Sequence, residues 1–581
     1  MTGFETMKGQ KMRNLLKGVM LLAVLLAFGT ALGEPSTFTV DGSKNATVGA
    51  DGDGYSLNYT ESSVKYANFI VYNNLLIDGT QCGGLTNTGY TVLGGNDSGP
   101  AIVTITNDVK WLRPRGNAIR FKNNGGTIVV SETTPRNINW SDPVFKDQVQ
   151  IYTAVGNAYT NMFGTFGFGT GVIVESDVTA DSGVLDIFRL LPNGSASLSY
   201  VTNDNASVAA RILFEGGEMW SLAEGSTRFQ VADGAKIILQ SVDGNPIILR
   251  SSINDFSLFS GAGTLETAGD GDFNLMQAYS NVKVVTLSAD DGGRIVWGHS
   301  GDLVLGGRMY LKFGSDDVLP HGSQTGKVKI SNKIGGSEGK PLTIDLNGKE
   351  AIVNGFIYDN SADTYSKHNF ITNSSGTIAT LGLDIWNTES EQRLHELMPA
   401  KVKLAANASS TIKFKKLGAA KLIVGDPQAT NVLESVAGTE VADGVLWFGN
   451  NYTLTRPLSV TGSGSIQVRE DVQYARTLDL SSIPDADLSI GGLTVVDNPQ
   501  KTPTITKFRP AANGKLYLTN VSVDLASSYT VPINLTTVVD AENFASWKVY
   551  VNGAEVRGFV PVYENGVLKA KFKHGLTIIV R

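Results

Sequence analysis

The sequence predicts an all-β protein in which a parallel β-solenoid is followed by a small C-terminal β-hairpin module. Three observations support this prediction. Glycine is abundant (65 residues), proline is scarce (18 residues), and only 18% of the residues are charged. Short apolar or alternating runs recur about every 20–25 residues, between clusters of Gly, Asn and Asp. Helical periodicity is nearly absent after residue 33.

Residues 1–33 have the pattern of a secretory signal peptide. A basic segment comes first, an apolar core follows at residues 18–28, and Ala31-Leu32-Gly33 offers a cleavage site before Glu34. An uncleaved anchor is the alternative, but the core is shorter than the roughly 20 residues that span a membrane. We therefore expect an extracellular or cell-surface protein with no transmembrane segment in its mature chain.

Charge and cysteine content limit the partners and the sources of stability. The chain has a net charge of −7, and loss of the leader would bring it to about −10. An acidic surface argues against nucleic acid as a partner. Cys82 is the one cysteine in the sequence, so an intrachain disulfide is impossible, and the thiol is expected to be a small buried apolar group.

Strand patterns fill most of the region assigned to the solenoid, residues 34–540. A chain of this length would ordinarily divide into several domains, but a repeat architecture avoids that limit because each unit packs only on its neighbours. The clearest predicted strands are 126–132, 210–216, 235–241, 245–251, 294–298, 307–314, 420–426 and 464–470.

The run "LTIDLNGKEAIVNGF" at 342–356 illustrates one predicted coil. Its apolar residues Leu342, Ile344 and Leu346 would point inward and stack on equivalent residues about 4.8 Å away in the next coil. Asn347-Gly348 would turn the corner, because both residues tolerate a left-handed backbone. A local β-hairpin is the alternative, since Asn-Gly also favours type I′ turns.

One helix is predicted, at 387–400. Thr388 and Glu391 form a capping-box pattern, an apolar stripe that ends at Met398 follows, and Pro399 ends the pattern. Three helical turns among so many strands would form an excursion from the β scaffold.

The C-terminal module is placed at 541–581. Asn552-Gly553 and Asn565-Gly566 lie between alternating runs and predict two hairpins, with a final strand after them. A structural cap over the open end of the solenoid is the favoured interpretation, because an exposed edge strand invites aggregation. A sorting or anchoring signal for separate export machinery is the alternative.

Several segments resemble the passenger-associated β-strand repeat of bacterial autotransporters. The matching residues, in the order of that repeat, are Leu319-Pro320-His321-Gly322, Ile344-Asp345-Leu346-Asn347-Gly348 and Ile371-Thr372-Asn373. A glycine-rich mark of the family resembles "KLGAAKLIVG" at 416–425, where Ala420 replaces the second glycine, and fainter echoes lie at 261–269 and 462–468.

The resemblance implies a right-handed β-helix passenger from a diderm bacterium. The sequence departs from the family at its end, since it has no pattern for the membrane barrel that such proteins carry. We therefore expect a passenger without its own translocator, built as a stiff rod of roughly 20–25 coils at strand spacing.

Parallel β-helices also include pectin-degrading enzymes, so an enzyme is the alternative. Polygalacturonase motifs have partial counterparts at Thr202-Asn203-Asp204, Asp290-Asp291, Gly298-His299-Ser300 and Lys327-Val328-Lys329. Their spacing does not fit, because Asp291 and His299 are too close in sequence to lie one coil apart. Carboxylates that share acid and base roles lie about 5–10 Å from each other. We therefore expect no catalytic residues.

Metal and cofactor sites are not expected either. Asp51-Gly-Asp53 and Asp270-Gly-Asp272 could supply oxygen ligands, but Asp-Gly is more often a turn. The histidines show no metal or triad spacing and are expected at corners or in loops; they are His299, His321, His368, His395 and His574.

A basic and aromatic stretch at 110–122 is the one candidate binding surface in the sequence. Charge-assisted hydrogen bonds and stacking on aromatic rings would suit an anionic glycan, whereas an ordinary solvated face is the alternative. The residues are Lys110, Trp111, Arg113, Arg115, Arg120 and Lys122.

Together these features predict an exported, non-catalytic β-solenoid that acts as a cell-surface or secreted adhesin or structural scaffold. Its expected partners are an extracellular glycan or matrix, or other surface proteins, and no cofactor is expected. A carbohydrate-active β-helix enzyme, either a polysaccharide lyase or a glycoside hydrolase, is the alternative.

Overall fold

The computed structural model describes short strands by their backbone before residue 171, with the side chain of Leu75, and most residues after it. The later described ranges are 171–180, 182–190, 194–198, 200–221, 227–251, 255–277, 283–287, 293–306, 309–323, 325–331, 342–358, 369–386, 392–399, 402–405, 410–425, 432–470, 473–497, 501–521 and 528–573. The chain forms two compact units, Met1–Leu185 and Asp186–Arg581.

In the first unit, most short strands pair in parallel with strands further along the chain, whereas the pairing of Ile128 with Tyr152 is antiparallel. Ile70 pairs with Val92, and Val92 pairs in turn with Arg120, so equivalent strands lie side by side. The strands are β1 (Phe38–Val40), β2 (Ala46–Val48), β3 (Ser56–Leu57), β4 (Val64–Tyr66), β5 (Phe69–Val71), β6 (Leu75–Asp78), β7 (Gly84–Asn87), β8 (Thr91–Gly94), β9 (Ala101–Thr106), β10 (Trp111–Pro114), β11 (Ile119–Lys122), β12 (Gly126–Ser131), β13 (Ile138–Asn139), β14 (Tyr152–Thr153), β15 (Gly164–Gly167) and β16 (Gly171–Val174).

The second unit is a parallel β-solenoid. The division between the units falls within its first strand, and the strands run to residue 572. They are β17 (Val184–Leu190), β18 (Gly194–Leu198), β19 (Tyr200–Asn203), β20 (Ala209–Phe214), β21 (Glu218–Ser221), β22 (Thr227–Val231), β23 (Lys236–Ser241), β24 (Ile247–Ser251), β25 (Asp255–Ser260), β26 (Thr264–Gly269), β27 (Phe273–Gln277), β28 (Lys283–Leu287), β29 (Arg294–His299), β30 (Leu303–Gly306), β31 (Met309–Phe313), β32 (Val328–Ser331), β33 (Thr343–Asp345), β34 (Glu350–Val353), β35 (Phe356–Tyr358), β36 (Asn369–Thr372), β37 (Ala379–Asp384), β38 (Gln392–Arg393), β39 (Val402–Leu404), β40 (Ile412–Leu417), β41 (Lys421–Val424), β42 (Gly438–Val441), β43 (Val445–Phe448), β44 (Tyr452–Thr453), β45 (Leu458–Val460), β46 (Ser465–Val468), β47 (Thr477–Asp479), β48 (Leu488–Val496), β49 (Thr504–Phe508), β50 (Pro510–Thr519), β51 (Ser528–Thr530), β52 (Asn534–Val538), β53 (Lys548–Val551), β54 (Ala554–Glu555), β55 (Phe559–Glu564) and β56 (Val567–Phe572).

Equivalent strands stack in register, so apolar side chains form columns through the core. Leu311 pairs with Ile344, which pairs with Ile371, and all three side chains are buried. A second column runs through Leu446 and Ile466. This stacking confirms the predicted all-β parallel solenoid, which has about 10 turns; the handedness of the coil stays a prediction.

The structure decides between the two interpretations of residues 342–356. Strand β33 pairs in parallel with β31 and β36, and β34 pairs in parallel with β37, so the segment is a coil and the hairpin interpretation is wrong. Leu342, Ile344 and Leu346 are buried as predicted, and Asn347 and Gly348 turn the corner with φ of 47° and 77°.

The predicted spacing of 20–25 residues holds for only part of the solenoid. Ile423 pairs with Trp447, 24 positions later, but Leu311 pairs with Ile344, 33 positions later. The earlier turns carry longer corners than the glycine and asparagine clusters suggested. The predicted 20–25 coils are therefore too many.

The predicted three-turn helix at 387–400 is wrong in length. Within the described residues of this segment there is one α-helical turn, α1 (Leu394–Leu397), and its N-cap residue Arg393 makes no side-chain capping bond. Gln392 and Arg393 belong instead to β38, which pairs in parallel with β41. Strand pairing with the next turn thus overrides local helix propensity. The predicted capping residues Thr388 and Glu391 lie outside the described residues.

Both predicted C-terminal hairpins are present. Strands β53 and β54 are antiparallel around Asn552-Gly553, and β55 and β56 are antiparallel around Asn565-Gly566. The turn residues have positive φ, as type I′ turns require. Since β53 also pairs in parallel with β50, the module is joined to the stack.

The remaining sequence-based predictions have different outcomes. All eight runs chosen as the clearest strands are strands in the structure. The boundaries at 33/34 and 540/541 stay predictions. Cys82 and the strand expected after residue 573 lie outside the described residues.

Candidate ligand-binding groove

A groove of about 360 Å³ crosses neighbouring turns at one corner of the solenoid. Asp302, Lys327 and Asn354 approach it just before β30, β32 and β35, which are consecutive strands of one sheet. We call this groove the Trp386 groove. It is lined by Asp302, Gly322, Ser323, Thr325, Gly326, Lys327, Asn354, Ile357, Asp384, Ile385, Trp386 and Gln392.

One wall is formed by Gly322, Ser323, Thr325, Gly326 and Lys327, in the loop that contains the Leu-Pro-x-Gly corner of the resemblance. Asn354 on the next turn fastens this loop, because its Oδ1 accepts a hydrogen bond from Gly322 N at 3.0 Å. Its Nδ2 donates to the carbonyl oxygens of Gly322 and Thr325, at 2.8 and 2.9 Å. Loop and turn therefore form one rigid surface.

His321 in this loop is bound to two carboxylates. Its Nε2 lies 2.6 Å from Oδ1 of Asp317, and its Nδ1 lies 3.4 Å from Oδ2 of Asp384. Hydrogen bonds to Asp317 and Asp384 raise the pKa of His321 to about 9, against the opposing effect of burial. The imidazole is therefore cationic at neutral pH.

Asp384 is only 6% exposed and lies at the end of β37. A second cation, Lys416, is wholly buried and interacts electrostatically with it. The ammonium of Lys416 donates to the carbonyl oxygens of Gly418 and Asp443, the latter at 2.8 Å. Burial lowers the pKa of Lys416 to about 8, while the charges of Asp443 and Asp384 act in the opposite direction. The carboxylate thus interacts with two cationic side chains.

Three side chains of the groove are not used by these contacts. Trp386 is 48% exposed, and within the described ranges its indole has no ring contact and no hydrogen-bond partner. The ammonium of Lys327 and the hydroxyl of Ser323 likewise have no partner in that part of the chain. The groove therefore offers a flat aromatic face beside free polar groups.

The candidate surface predicted at 110–122 is only partly described. Trp111 and Arg113 lie in β10, and Arg120 and Lys122 lie in β11. Their side chains, together with Lys110 and Arg115, lie outside the described residues. This surface stays a prediction.

The partial polygalacturonase motifs occupy different turns. Asn203 ends β19, and His299 ends β29, three strands beyond β20 in its sheet. Asn203 Nδ2 donates to the carbonyl oxygens of Val208 and Lys236, at 2.9 and 2.7 Å. Asn203 therefore fixes a corner, and Asp290 and Asp291 lie outside the described residues.

The expectation that every histidine lies at a corner or in a loop is wrong for His299. This residue lies in β29 and is wholly buried beside Phe273 and Trp297. Its Nδ1 is 2.7 Å from Thr267 Oγ1, and burial lowers its pKa to about 4. The imidazole is thus buried among apolar neighbours on the strand despite its polarity.

The Asp-Gly-Asp segment at 270–272 also serves the fold. Asp270 Oδ1 accepts a hydrogen bond from Gly244 N at 3.0 Å, and Asp272 Oδ1 accepts one from Asp302 N at 2.9 Å. Among the described residues, no group of three or more His, Cys, Asp and Glu side chains could hold a metal ion. Asp51 and Asp53 lie outside those residues.

The sequence did not predict the Trp386 groove. His321 belongs to a corner motif, but Asp384 and Trp386 lie more than 60 positions further on, and no local pattern links them to it. A large aromatic residue just after the apolar strand run "ATLGLDI" was the signal available.

Comparison with known proteins finds no matching family model, no matching curated protein and no matching solved structure. The autotransporter-like identity therefore remains a resemblance. In the described part of the chain, no helix has the length and apolar character needed to cross a membrane.

Proposed function

We propose that the protein is an exported, non-catalytic β-solenoid that acts at the cell surface or in the medium as an adhesin or structural scaffold. The supporting observation is that polar corner residues bind backbone groups of neighbouring turns. Asn203 and Asn373 each donate to a carbonyl of their own corner and to one of the next turn. A stack fixed in this way presents its loops at constant positions.

Cell fractionation tests this proposal. The full chain is expressed in a diderm bacterial host, and its exposure to added protease on intact cells is measured. We expect surface exposure or release for the full chain, and reduced retention for a chain without residues 541–581 if the tail is an anchoring signal. A surface role is excluded if both chains stay in the periplasm.

A second truncation separates anchoring from folding. Residues 541–581 include Trp547, which is 2% exposed and packs against Phe508 and Phe544. Their removal therefore also uncovers the core. Removal of residues 554–581 retains Trp547 and β53 but takes away β56, whose Leu568 and Ala570 are buried. We expect it to reproduce any anchoring defect, and urea unfolding of the same chain measures how much of the solenoid's stability it keeps.

One observation favours the enzyme alternative. Two carboxylates, Asp302 and Asp384, line the same groove as the exposed Trp386. Asp302 Oδ1 accepts a hydrogen bond from Lys327 N at 2.9 Å, and Asp384 binds His321, so both already serve the fold. Incubation with soluble polysaccharides and measurement of new reducing ends should show no cleavage. Cleavage that disappears in Asp384→Asn would establish the enzyme.

A further inference from the structure

We infer that the Trp386 groove binds an uncharged oligosaccharide that lies across neighbouring turns and stacks one sugar ring on Trp386. This inference names a ligand for the proposed adhesin and rests on that proposed function. The exposed indole is its main support, because the C–H face of a sugar ring is apolar and packs on the electron-rich face of an aromatic ring.

The polar groups of the groove suit a ligand with many hydroxyls. The Lys327 ammonium and the Ser323 hydroxyl have no partner within the described ranges and can donate hydrogen bonds. Asn354 and Gly322 also line the groove and are hydrogen-bonded to each other, so the wall that they form does not have to be ordered on binding. Such a preformed site reduces the entropic cost of association.

The charges in and under the groove favour a neutral ligand. Asp384 interacts with the cations His321 and Lys416, while Asp302 lines the groove together with Lys327. Opposite charges are thus close to each other, and no single sign dominates. The whole chain is acidic, with a net charge of −7, which disfavours a polyanion.

A peptide strand is a poorer fit than a sugar chain. Strand addition needs free backbone groups at an edge. Here the Gly322 N–H and carbonyl are bound to Asn354, and the Lys327 N–H is bound to Asp302. Recognition through side chains, without main-chain pairing, is what an oligosaccharide needs.

The groove is long enough for more than one ring. Asp302, Lys327 and Asn354 precede three consecutive strands of one sheet. Two strand spacings amount to about 10 Å. A short chain of sugars therefore fits better than a single monosaccharide.

The test is titration calorimetry of the full chain with cello-, malto-, xylo- and N-acetylated chito-oligosaccharides, with oligogalacturonate as the charged comparison. We expect at least one uncharged oligosaccharide to bind. Trp386→Ala should weaken that binding at least tenfold, and Trp386→Phe should restore part of it. Tyr474→Ala is the matched control, because Tyr474 is 60% exposed and does not line the groove.

Three results would overturn the inference: no binding by any uncharged oligosaccharide, equal losses in Trp386→Ala and Tyr474→Ala, or tighter binding of oligogalacturonate. Urea unfolding of each variant excludes loss of the fold as the cause. Surface exposure with no sugar binding would refute this inference alone. Sugar binding by a chain that stays in the periplasm would refute only the proposed surface function.

Discussion

The Tyr310 hydroxyl donates a hydrogen bond of 2.6 Å to Oδ2 of Asp345, one turn further along the solenoid. Oδ1 of Asp345 accepts from Asn347 N in its own turn, at 3.0 Å, and from Ser374 N in the following turn, at 2.8 Å. Burial alone would raise the pKa of Asp345, but hydrogen bonds from Ser374, Tyr310 and Asn347 lower it below its usual value. One ionised, wholly buried carboxylate thus joins three turns.

Asp345→Asn should destabilise the solenoid. The new amide would place N–H groups against groups that already donate, which leaves buried partners unsatisfied at a cost of about 1–3 kcal/mol. Tyr310→Phe removes one bond only and should cost about 1 kcal/mol. Urea unfolding at pH 7 measures both changes. Asp487→Asn, at an exposed position, is the control, and an equal loss in this control would contradict the assigned role.

Asn373→Ala should also destabilise the stack. The Asn373 side chain is 4% exposed, and its Nδ2 donates to the carbonyl oxygens of Thr377 and Thr411, at 2.8 and 3.0 Å. Its Oδ1 accepts from Gly348 N at 2.8 Å. Loss of these part-buried hydrogen bonds removes a link between neighbouring turns, at a cost of about 2 kcal/mol. The exposed strand residue Asn534 provides a matched Asn→Ala control, for which we expect a change within about 0.5 kcal/mol.

Gly464→Ala should be poorly tolerated. A Cβ on Gly464 would lie 2.2 Å from the carbonyl oxygen of Val441 on the preceding turn, so the two turns would have to separate. Overpacking of this kind costs about 1–3 kcal/mol. A Cβ on Gly376 meets no atom within 4 Å, so Gly376→Ala should have little effect. Thermal unfolding of both variants measures the difference. Equal midpoints would show that the close contact between neighbouring turns does not require glycine at position 464.

His321 should make stability fall with pH between about 6.5 and 9. Its pKa is near 6.5 in the unfolded chain and is raised to about 9 in the fold by hydrogen bonds to Asp317 and Asp384. In this window the folded state binds the extra proton, so the stabilisation is complete below pH 6.5 and is lost as pH rises to about 9. Comparison with His321→Gln by urea unfolding isolates this slope. The interpretation is excluded if the difference between the two proteins does not shrink across that range.

The sequence predicted those features that repeat along the chain. Leu342, Ile344 and Leu346 alternate with polar residues, and this alternation alone indicated an inward-facing strand. Asn347-Gly348 indicated the corner, because few other residues adopt the left-handed backbone. The same pattern did not predict that Asp345 is buried. Its carboxylate oxygens can be buried because they accept hydrogen bonds from residues of two other turns, which a local pattern does not reveal.

Features that depend on pairing between distant segments were not predictable. The capping pattern of 387–400 favoured a helix, but β38 finds a parallel partner in β41, about 30 positions later. The Trp386 groove depends likewise on the contact between His321 and Asp384, 63 positions apart. Local pattern carries no information about which corners meet when turns differ in length.

The unequal length of the turns has a consequence for how such a chain can change. Leu311 is paired with Val285, 26 positions earlier, and with Ile344, 33 positions later. The seven additional residues lie outside β31 and β33, and the strands remain aligned. Insertions and deletions at a corner therefore need not disturb the backbone pairing of the strands on either side of it. Evolution could therefore change such a chain one loop at a time, and a foreign segment could be grafted at a corner, without change to the buried core.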